Sequence, residues 1–146
     1  MTRTEKKELT DYLNEIRDID KSIENKKRLI DEQRDIMYSV QSIQYGEYVQ
    51  HTRELRPVEK KVLRFLELSE QLIAQINELT DAKIERIQYI NQIEDLRIRN
   101  VMECRYIRRQ SWNDIISDLH YDKSRIYQWH NQGLNIIYKS RLNRLE

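Results

Sequence analysis

Apolar residues recur in alternating steps of three and four along the first forty or so residues, and this spacing constrains the fold more than any other feature of the chain. Such a heptad seam, interrupted here at two polar positions, places its members on one side of a long α-helix. We predict a helix from about Thr4 to Ser39, with a Thr2–Glu5 capping box at its start, packed on another helix. The seam positions are Leu9, Tyr12, Ile16, Ile19, Ile23, Lys26, Ile30, Gln33, Met37 and Val40.

A second segment of similar spacing begins at Pro57, a residue suited to the first turn of a helix. Both segments have about 36 residues, or roughly 54 Å of helix. Equal lengths predict an antiparallel hairpin arm over residues 1–92, whose broad apolar stripe would be covered by a second copy in a homodimer or by another protein. The predicted seam is Val62, Leu66, Ser69, Ile73, Ile76, Thr80, Lys83, Ile87 and Ile90, broadened by Phe65, Leu72, Leu79 and Ile84.

The connector 41–56 is less regular. It contains Gly46 and two aromatic residues, Tyr45 and Tyr48, that look exposed. The pattern does not tell a contact surface from a mobile loop.

Glycine and proline, which interrupt helices and form turns, are scarce. The 146 residues contain 2 Gly, 1 Pro and 35% charged residues. An all-α chain follows from this composition. The single cysteine excludes an internal disulfide and suits a reducing cytoplasm, and the chain has neither a membrane-spanning apolar run nor the apolar stretch of a signal peptide. We therefore expect a cytoplasmic protein that does not enter membranes.

The last third of the chain, residues 93–146, has the pattern of a three-helix module. Asp95 is placed to cap a helix from Leu96 to Arg109, with Leu96, Val101, Cys104 and Ile107 available for the core. Ser111 caps the next helix, and Trp112 is expected to pack on the preceding one. The stretch Ser111–Ile137 then fits a helix-turn-helix. Its inner positions are Ile115, Ile116 and Leu119 in the first helix and Ile126, Trp129 and Ile137 in the second, with His120, Tyr121 and Asp122 in the turn.

Charge divides along the chain. Residues 1–95 carry 16 Lys and Arg against 20 Asp and Glu, whereas residues 96–146 carry 10 against 5. Basic residues that follow a helix-turn-helix favour DNA binding, because contacts with phosphates supply much of the affinity. The basic residues are Arg97, Arg99, Arg105, Arg108, Arg109, Lys123, Arg125, Lys139, Arg141 and Arg144.

The second helix of the motif would enter the major groove of double-stranded DNA over residues 123–137. Gln128 and Asn131 can pair with adenine edges, and Gln128 is the first choice for specificity; residues at the helix start can hold phosphate or guanine. Asp122 is expected to cap the helix. Stacking of Tyr127 and Trp129 on single strands is a weaker interpretation, because Trp129 falls at a core position. The predicted DNA-binding residues are Lys123, Ser124, Arg125, Tyr127, Gln128, Asn131, Arg108 and Arg109.

Residues 93–137 resemble the C-terminal region of ArpU-like phage transcriptional regulators and are similar to region four of bacterial sigma factors. Two positions depart from the pattern: Ile116 replaces a small residue, and His120 replaces the glycine of the turn. The resemblance implies a phage or prophage regulator of late genes that also contacts RNA polymerase. It rests on Arg105-Tyr106-Ile107, Ser111-Trp112, Ile115, Leu119, Ile126-Tyr127, His130 and Gly133-Leu134.

No residue pattern of an enzyme stands out. His51, His120 and His130 lack the spacing of a metal motif, and the chain has no glycine-rich phosphate loop or nucleophile elbow. We therefore expect no catalysis, cofactor, metal or small-molecule substrate. Two hypotheses remain: a DNA-binding regulator, and a factor that binds RNA polymerase, a sigma factor or another phage or host protein without reading DNA.

Overall fold

The computed structural model describes the backbone of residues 1–44 and 57–145, with side chains for residues 1–39 and 57–145. These ranges contain five α-helices and one π-helical turn, Glu103–Ile107, and no strand. The all-α fold, a long helical hairpin followed by a helical module, is confirmed. Tyr45, Gly46, Tyr48 and His51 lie outside the described residues. The α-helices are α1 Arg3–Gln44, α2 Pro57–Asn91, α3 Leu96–Met102, α4 Trp112–Leu119 and α5 Lys123–Leu145.

The predicted capping box forms at the start of α1. The backbone N–H of Thr2 donates to Glu5 Oε2 at 2.7 Å, and the N–H of Glu5 donates to Thr2 Oγ1 at 3.1 Å. The hydrogen bond from Thr2 also lowers the pKa of Glu5. The helix runs to Gln44, five residues beyond the predicted end at Ser39, because the sequence has no glycine or proline before Gly46 to stop it. None of the described helices is long and apolar enough to cross a membrane.

Two compact units divide the chain. One comprises Met1–Asp20 with Asp81–Glu146, and the other comprises Lys21–Thr80. The boundaries fall inside α1 and α2, whereas the sequence analysis divided the chain at residue 92. The first 20 residues therefore belong to the same unit as the helix-turn-helix. The core of this unit combines α1 residues Leu9, Leu13 and Ile16 with Ile90, Ile93, Ile98, Val101, Met102, Ile115, Ile126, Leu134 and Ile137.

Contacts within each unit show that α1 and α2 run antiparallel. In the first unit, Arg86 Nε donates to the backbone oxygen of Tyr12 at 2.9 Å, and Lys83 Nζ lies 2.6 Å from Asp20 Oδ1. In the second unit, Met37 near the end of α1 and Phe65 near the start of α2 line the same surface cleft. Early residues of one helix thus lie beside late residues of the other.

On α1, the predicted seam positions from Leu9 to Met37 are all buried or half-buried, and the side chain of Val40 lies outside the described residues. In the second unit, Ile23, Lys26, Ile30, Gln33 and Met37 are all half-buried, as the heptad pattern predicts. On α2, the predicted seam is partly wrong. Leu66 and Ile73 are each 50% exposed, whereas Leu72 is 7% exposed and Phe65 is half-buried. At these two points the helix buries the residue one position earlier, and the other predicted seam positions of α2 are half-buried or buried.

The third helix also differs from the prediction. It was expected to run from Leu96 to Arg109, but the α-helix ends at Met102 and a π-helical turn follows. Leu96, expected in the core, is 61% exposed, and Ile98 is buried in its place. Cys104 is buried as predicted, and burial raises the pKa of its thiol. The Asp95 cap is confirmed, since its carboxylate accepts from the backbone N–H groups of Arg97 and Ile98.

Candidate nucleic-acid interface

The helix-turn-helix is held by three local devices that the sequence predicts. Ser111 Oγ accepts from the backbone N–H of Asp114 at 3.2 Å and caps α4. His120 takes the left-handed conformation of the turn, with φ 58° and ψ 35°, and its N–H donates to the oxygen of Ile116 at 3.2 Å. Asp122 Oδ1 accepts from the N–H of Arg125 at 3.4 Å. These contacts fix where α4 ends and α5 begins.

The inner faces of α4 and α5 contain the predicted apolar residues. Ile115, Ile126 and Ile137 have no exposed surface, and Trp129 is 7% exposed. The Trp129 ring meets the Tyr121 ring edge to face, with centroids 4.7 Å apart. This packing argues against base stacking on Trp129.

The outer face of α5 presents a stripe of uncharged hydrogen-bonding side chains. Ser124, Gln128 and Asn131 are exposed, and Asn135, which the sequence analysis did not single out, continues their spacing of four and three. Their side chains make no hydrogen bond to another described residue, so their donors and acceptors are available to a ligand. We call Ser124, Gln128, Asn131 and Asn135 the amide stripe.

Lys123 and Arg125 lie exposed at the start of α5, beside the amide stripe. Tyr127, predicted to face outward, is half-buried on the flank of the helix. Its ring packs edge to face on Trp112 at 5.0 Å, and Lys123 Nζ lies 5.6 Å from its centroid. Tyr127 thus joins α5 to the start of α4 and is less accessible to a ligand than Gln128.

The two predicted arginines of the preceding segment are exposed at the end of the π-helical turn. Arg108 closes the turn, its backbone N–H donating to the oxygen of Glu103. Arg109 has a left-handed backbone with φ 61°, and its Nη1 lies 4.0 Å from Asp20 Oδ2 of α1. Neither arginine lies on α5, so neither belongs to the amide stripe.

A buried polar pair supports α5 from behind. The hydroxyl of Tyr106 lies 2.6 Å from Nε2 of His130, and the two rings stack with centroids 5.7 Å apart. Burial lowers the pKa of His130 to about 4, with a further contribution from the positive charges of Lys6 and Arg105. Burial likewise raises the pKa of Tyr106 to about 12. The histidine is therefore neutral at pH 7, and its Nε2 shares a hydrogen bond with the tyrosine hydroxyl whose direction is set by the imidazole tautomer.

Helix α5 approaches α3 closely at Gly133. A Cβ atom at this position would lie 2.7 Å from Cγ and Sδ of Met102 and 3.2 Å from Cγ2 of Ile98. Met102 is fully buried, so its side chain has little room to move. The contact fixes the back of α5 while the amide stripe stays exposed.

Among the described residues, no group of three or more His, Cys, Asp or Glu side chains could hold a metal ion. No curated protein and no solved structure matches the chain. One protein family does: the family described as "Protein of unknown function (DUF1492)" matches residues 48–137. This match includes all of α2 and the helix-turn-helix through Ile137, and spans more than half of the chain. The chain therefore belongs to the DUF1492 family.

Proposed function

We propose that this protein is a phage-encoded, sequence-specific regulator of transcription that binds double-stranded DNA through α5. The observation that carries the proposal is the amide stripe on the second helix of a helix-turn-helix. A row of unpaired amide and hydroxyl groups, next to Lys123 and Arg125 at the helix start, has the chemistry that base edges and phosphates require.

The geometry suggests a role for each residue. Gln128 and Asn131 can each donate to and accept from an adenine in the major groove, and Ser124 can contact either kind of base pair. Lys123 and Arg125 are placed for phosphate or guanine near the end of the helix that enters the groove. Arg108 and Arg109 would bind phosphate to one side. Gln128 lies in the middle of this surface and is the main candidate for specificity.

We assign the protein more finely to the late-gene regulators of the ArpU-like kind, which act in the bacterial cytoplasm and contact RNA polymerase. This assignment rests on the resemblance of residues 93–137 to those regulators and to sigma region four.

We also propose that the protein is a homodimer. Within the unit Lys21–Thr80, Leu29 is 45%, Ile36 56%, Leu66 50% and Ile73 50% exposed. A second copy of the hairpin would remove this apolar surface from water.

The same exposed apolar residues favour one competing function, that of a factor that binds another protein without reading DNA. Apolar surface is the usual anchor of a protein interface. The outer face of α5 around the amide stripe is polar over residues 123–135, however, and offers no such anchor. We therefore assign protein contacts to the hairpin and DNA contacts to α5.

In vitro selection tests the proposal. The full chain is incubated with duplexes that carry a randomised segment, and bound DNA is amplified over several rounds. A sequence-reading helix should enrich one common motif, with half-sites spaced by whole turns of DNA if the protein is a dimer. If unrelated sequences are recovered in every round, and the affinity depends on salt concentration but not on DNA sequence, the protein does not read sequence. That result would favour the factor that binds another protein.

A further inference from the structure

The first helix carries a second basic surface, although residues 1–95 as a whole contain more acidic than basic residues. Arg3, Lys6, Lys7 and Arg17 are all exposed. By helical geometry they fall on one side of α1. We call these four residues the helix-1 basic face. Thr10 and Asn14 lie on the same side. The Thr10 hydroxyl donates to the backbone oxygen of Lys6 at 2.8 Å, so the half-buried Asn14 amide is the group that adds hydrogen-bond donors to this face.

Three of the six acidic residues of Met1–Asp20, namely Glu5, Glu15 and Asp20, are bound elsewhere. Glu5 accepts from the backbone of Thr2, and Glu15 binds the guanidinium of Arg86 on α2. Asp18 lies 3.8 Å from Arg17, but both side chains are more than half exposed, so this pair is weak and leaves the guanidinium accessible. Asp11 borders the face and lines a cleft with Arg3, Lys6 and Lys7. Residues 1–20 carry four Lys and Arg against six Asp and Glu, yet all four cations lie on one side of the helix.

The helix-1 basic face continues into the basic residues that precede the helix-turn-helix. Arg17 and Asn14 line one surface cleft together with Arg105 and Arg109. Arg109 is also tied to α1 through Asp20, at 4.0 Å. Both sets of cations lie in one compact unit, and the cleft brings them together.

From the cleft, a chain of ring contacts leads to the start of α5. The guanidinium of Arg105 lies 4.4 Å from the Trp112 centroid, and Trp112 packs on Tyr127 at 5.0 Å. Tyr127 in turn lies under Lys123, at 5.6 Å. Two aromatic rings therefore connect the cations of the cleft to Lys123, the first residue of the helix assigned to the groove.

We propose that the helix-1 basic face binds the phosphate backbone of DNA beside the base pairs that α5 reads, so that α1 is part of the DNA-binding surface. This inference rests on the proposed function. Phosphates suit the surface because it is cationic, hydrogen-bonding and continuous with α5. An acidic protein suits it less, since Met1 is the one large apolar side chain exposed in Met1–Asp20, and protein interfaces need apolar anchors.

The test compares two double variants with the same loss of charge. Lys6→Gln/Arg17→Gln removes two cations of the helix-1 basic face. Lys27→Gln/Arg28→Gln removes two exposed cations of α1 that lie in the other compact unit. The full chain is titrated with the selected duplex and with a duplex of unrelated sequence, over a series of salt concentrations, by fluorescence anisotropy.

The face variant should weaken binding to both duplexes about equally, by roughly tenfold near physiological salt, and reduce the slope of log affinity against log salt by about 2. The ratio of the two affinities should stay as in the wild type. The matched variant should leave the slope unchanged. Arg17→Lys keeps the charge and should bind like the wild type, and equal thermal unfolding curves show that every variant is folded.

Two results would overturn the inference. One is wild-type affinity and slope in the face variant, which would leave an acidic protein as the candidate partner of the face. The other is an equal loss in both double variants, which would mean that only total charge counts. If Gln128→Ala loses discrimination while the face variant binds normally, the proposed function stands and only this inference fails. If the wild type binds neither duplex, both fail.

Discussion

The hydroxyl of Tyr106, in the π-helical turn, lies 2.6 Å from Nε2 of His130 on α5. Tyr106 is 2% and His130 8% exposed, so water cannot readily replace either partner. The bond therefore links the segment before the helix-turn-helix to the back of the helix assigned to DNA. An unsatisfied buried polar atom would destabilise that arrangement.

Tyr106→Phe should lower the free energy of unfolding by about 1 to 3 kcal/mol, because it leaves Nε2 of His130 buried without a hydrogen-bond partner. Urea unfolding followed by circular dichroism measures the change. Tyr38→Phe is the matched control, since the Tyr38 side chain is 58% exposed and should tolerate the same loss of a hydroxyl. Equal stability of the two variants would show that the bond contributes nothing.

Stability should also depend on the protonation of His130. Its pKa is about 4 in the folded protein against an ordinary value of 6.5, so the unfolded chain binds the proton more tightly. Neutral His130 therefore contributes to the free energy of unfolding, and this contribution is fully present above pH 6.5. As the pH falls from 6.5 to about 4, the free energy of unfolding should decrease by up to about 3 kcal/mol. Carboxylates also titrate at the acidic end of this range, so the wild type is compared with His130→Gln at each pH. The wild type should lose stability more steeply, and parallel curves would contradict burial of a neutral histidine.

A larger side chain at position 133 should destabilise the protein by steric clash. Gly133→Val should destabilise the protein by about 2 kcal/mol or more, because the added atoms meet the buried Met102 side chain. Gln132→Val is the control: it adds the same β-branched residue at an exposed neighbouring position of α5 and should cost only a few tenths of a kcal/mol. Thermal unfolding of both variants measures the difference. Similar midpoints would mean that α3 moves away at no cost.

Glycine should have opposite effects on stability at His120, in the turn, and at Ser117, in α4. His120→Gly should stabilise the fold by about 0.5 to 1 kcal/mol, because glycine adopts the positive φ of the turn without strain. Ser117→Gly, in the middle of α4, should destabilise it by a similar amount through lost helix propensity. Chemical unfolding of both variants provides the comparison. Loss of stability in both would show that the imidazole makes a contact that outweighs the strain.

Local chemistry explains why much of the fold could be predicted. Ser111, His120 and Asp122 act within three or four residues of their own positions, so the sequence contains both partners of each contact. The long seams are equally readable on α1, where polar residues flank a narrow stripe. On α2 the stripe is broad, and Leu66 and Phe65 both fit a helical spacing; only packing against α1 decides which one turns inward.

Features that depend on distant contacts could not be predicted. Leu13 follows Leu9 by four residues and precedes Ile16 by three, so spacing allows either Leu13 or Tyr12 in the seam. The core that α1 shares with the C-terminal helices makes Leu13 the fully buried one. The π-helical turn after Met102 has no signature in residue type, since its residues are ordinary helix formers. The outward position of Gln128 and Asn131 could be predicted, because Ile126 and Trp129 mark the buried side of the same helix. Nothing in the sequence pattern predicted that residues 1–20 of α1 belong to the same compact unit.

If α5 reads base pairs, Gln128→Ala should discriminate less well than the wild type between two duplexes that differ at one base pair. Affinities of the full chain for the selected duplex and for the same duplex with one base pair changed give a ratio for each variant. The wild type and the control Gln75→Ala, an exposed glutamine of α2, should keep that ratio. Gln128→Ala should lose about 1 to 3 kcal/mol of discrimination at one position of the site while still binding DNA. An unchanged ratio at every position of the site would contradict base reading by Gln128, and an unchanged ratio in Asn131→Ala as well would contradict the account of α5.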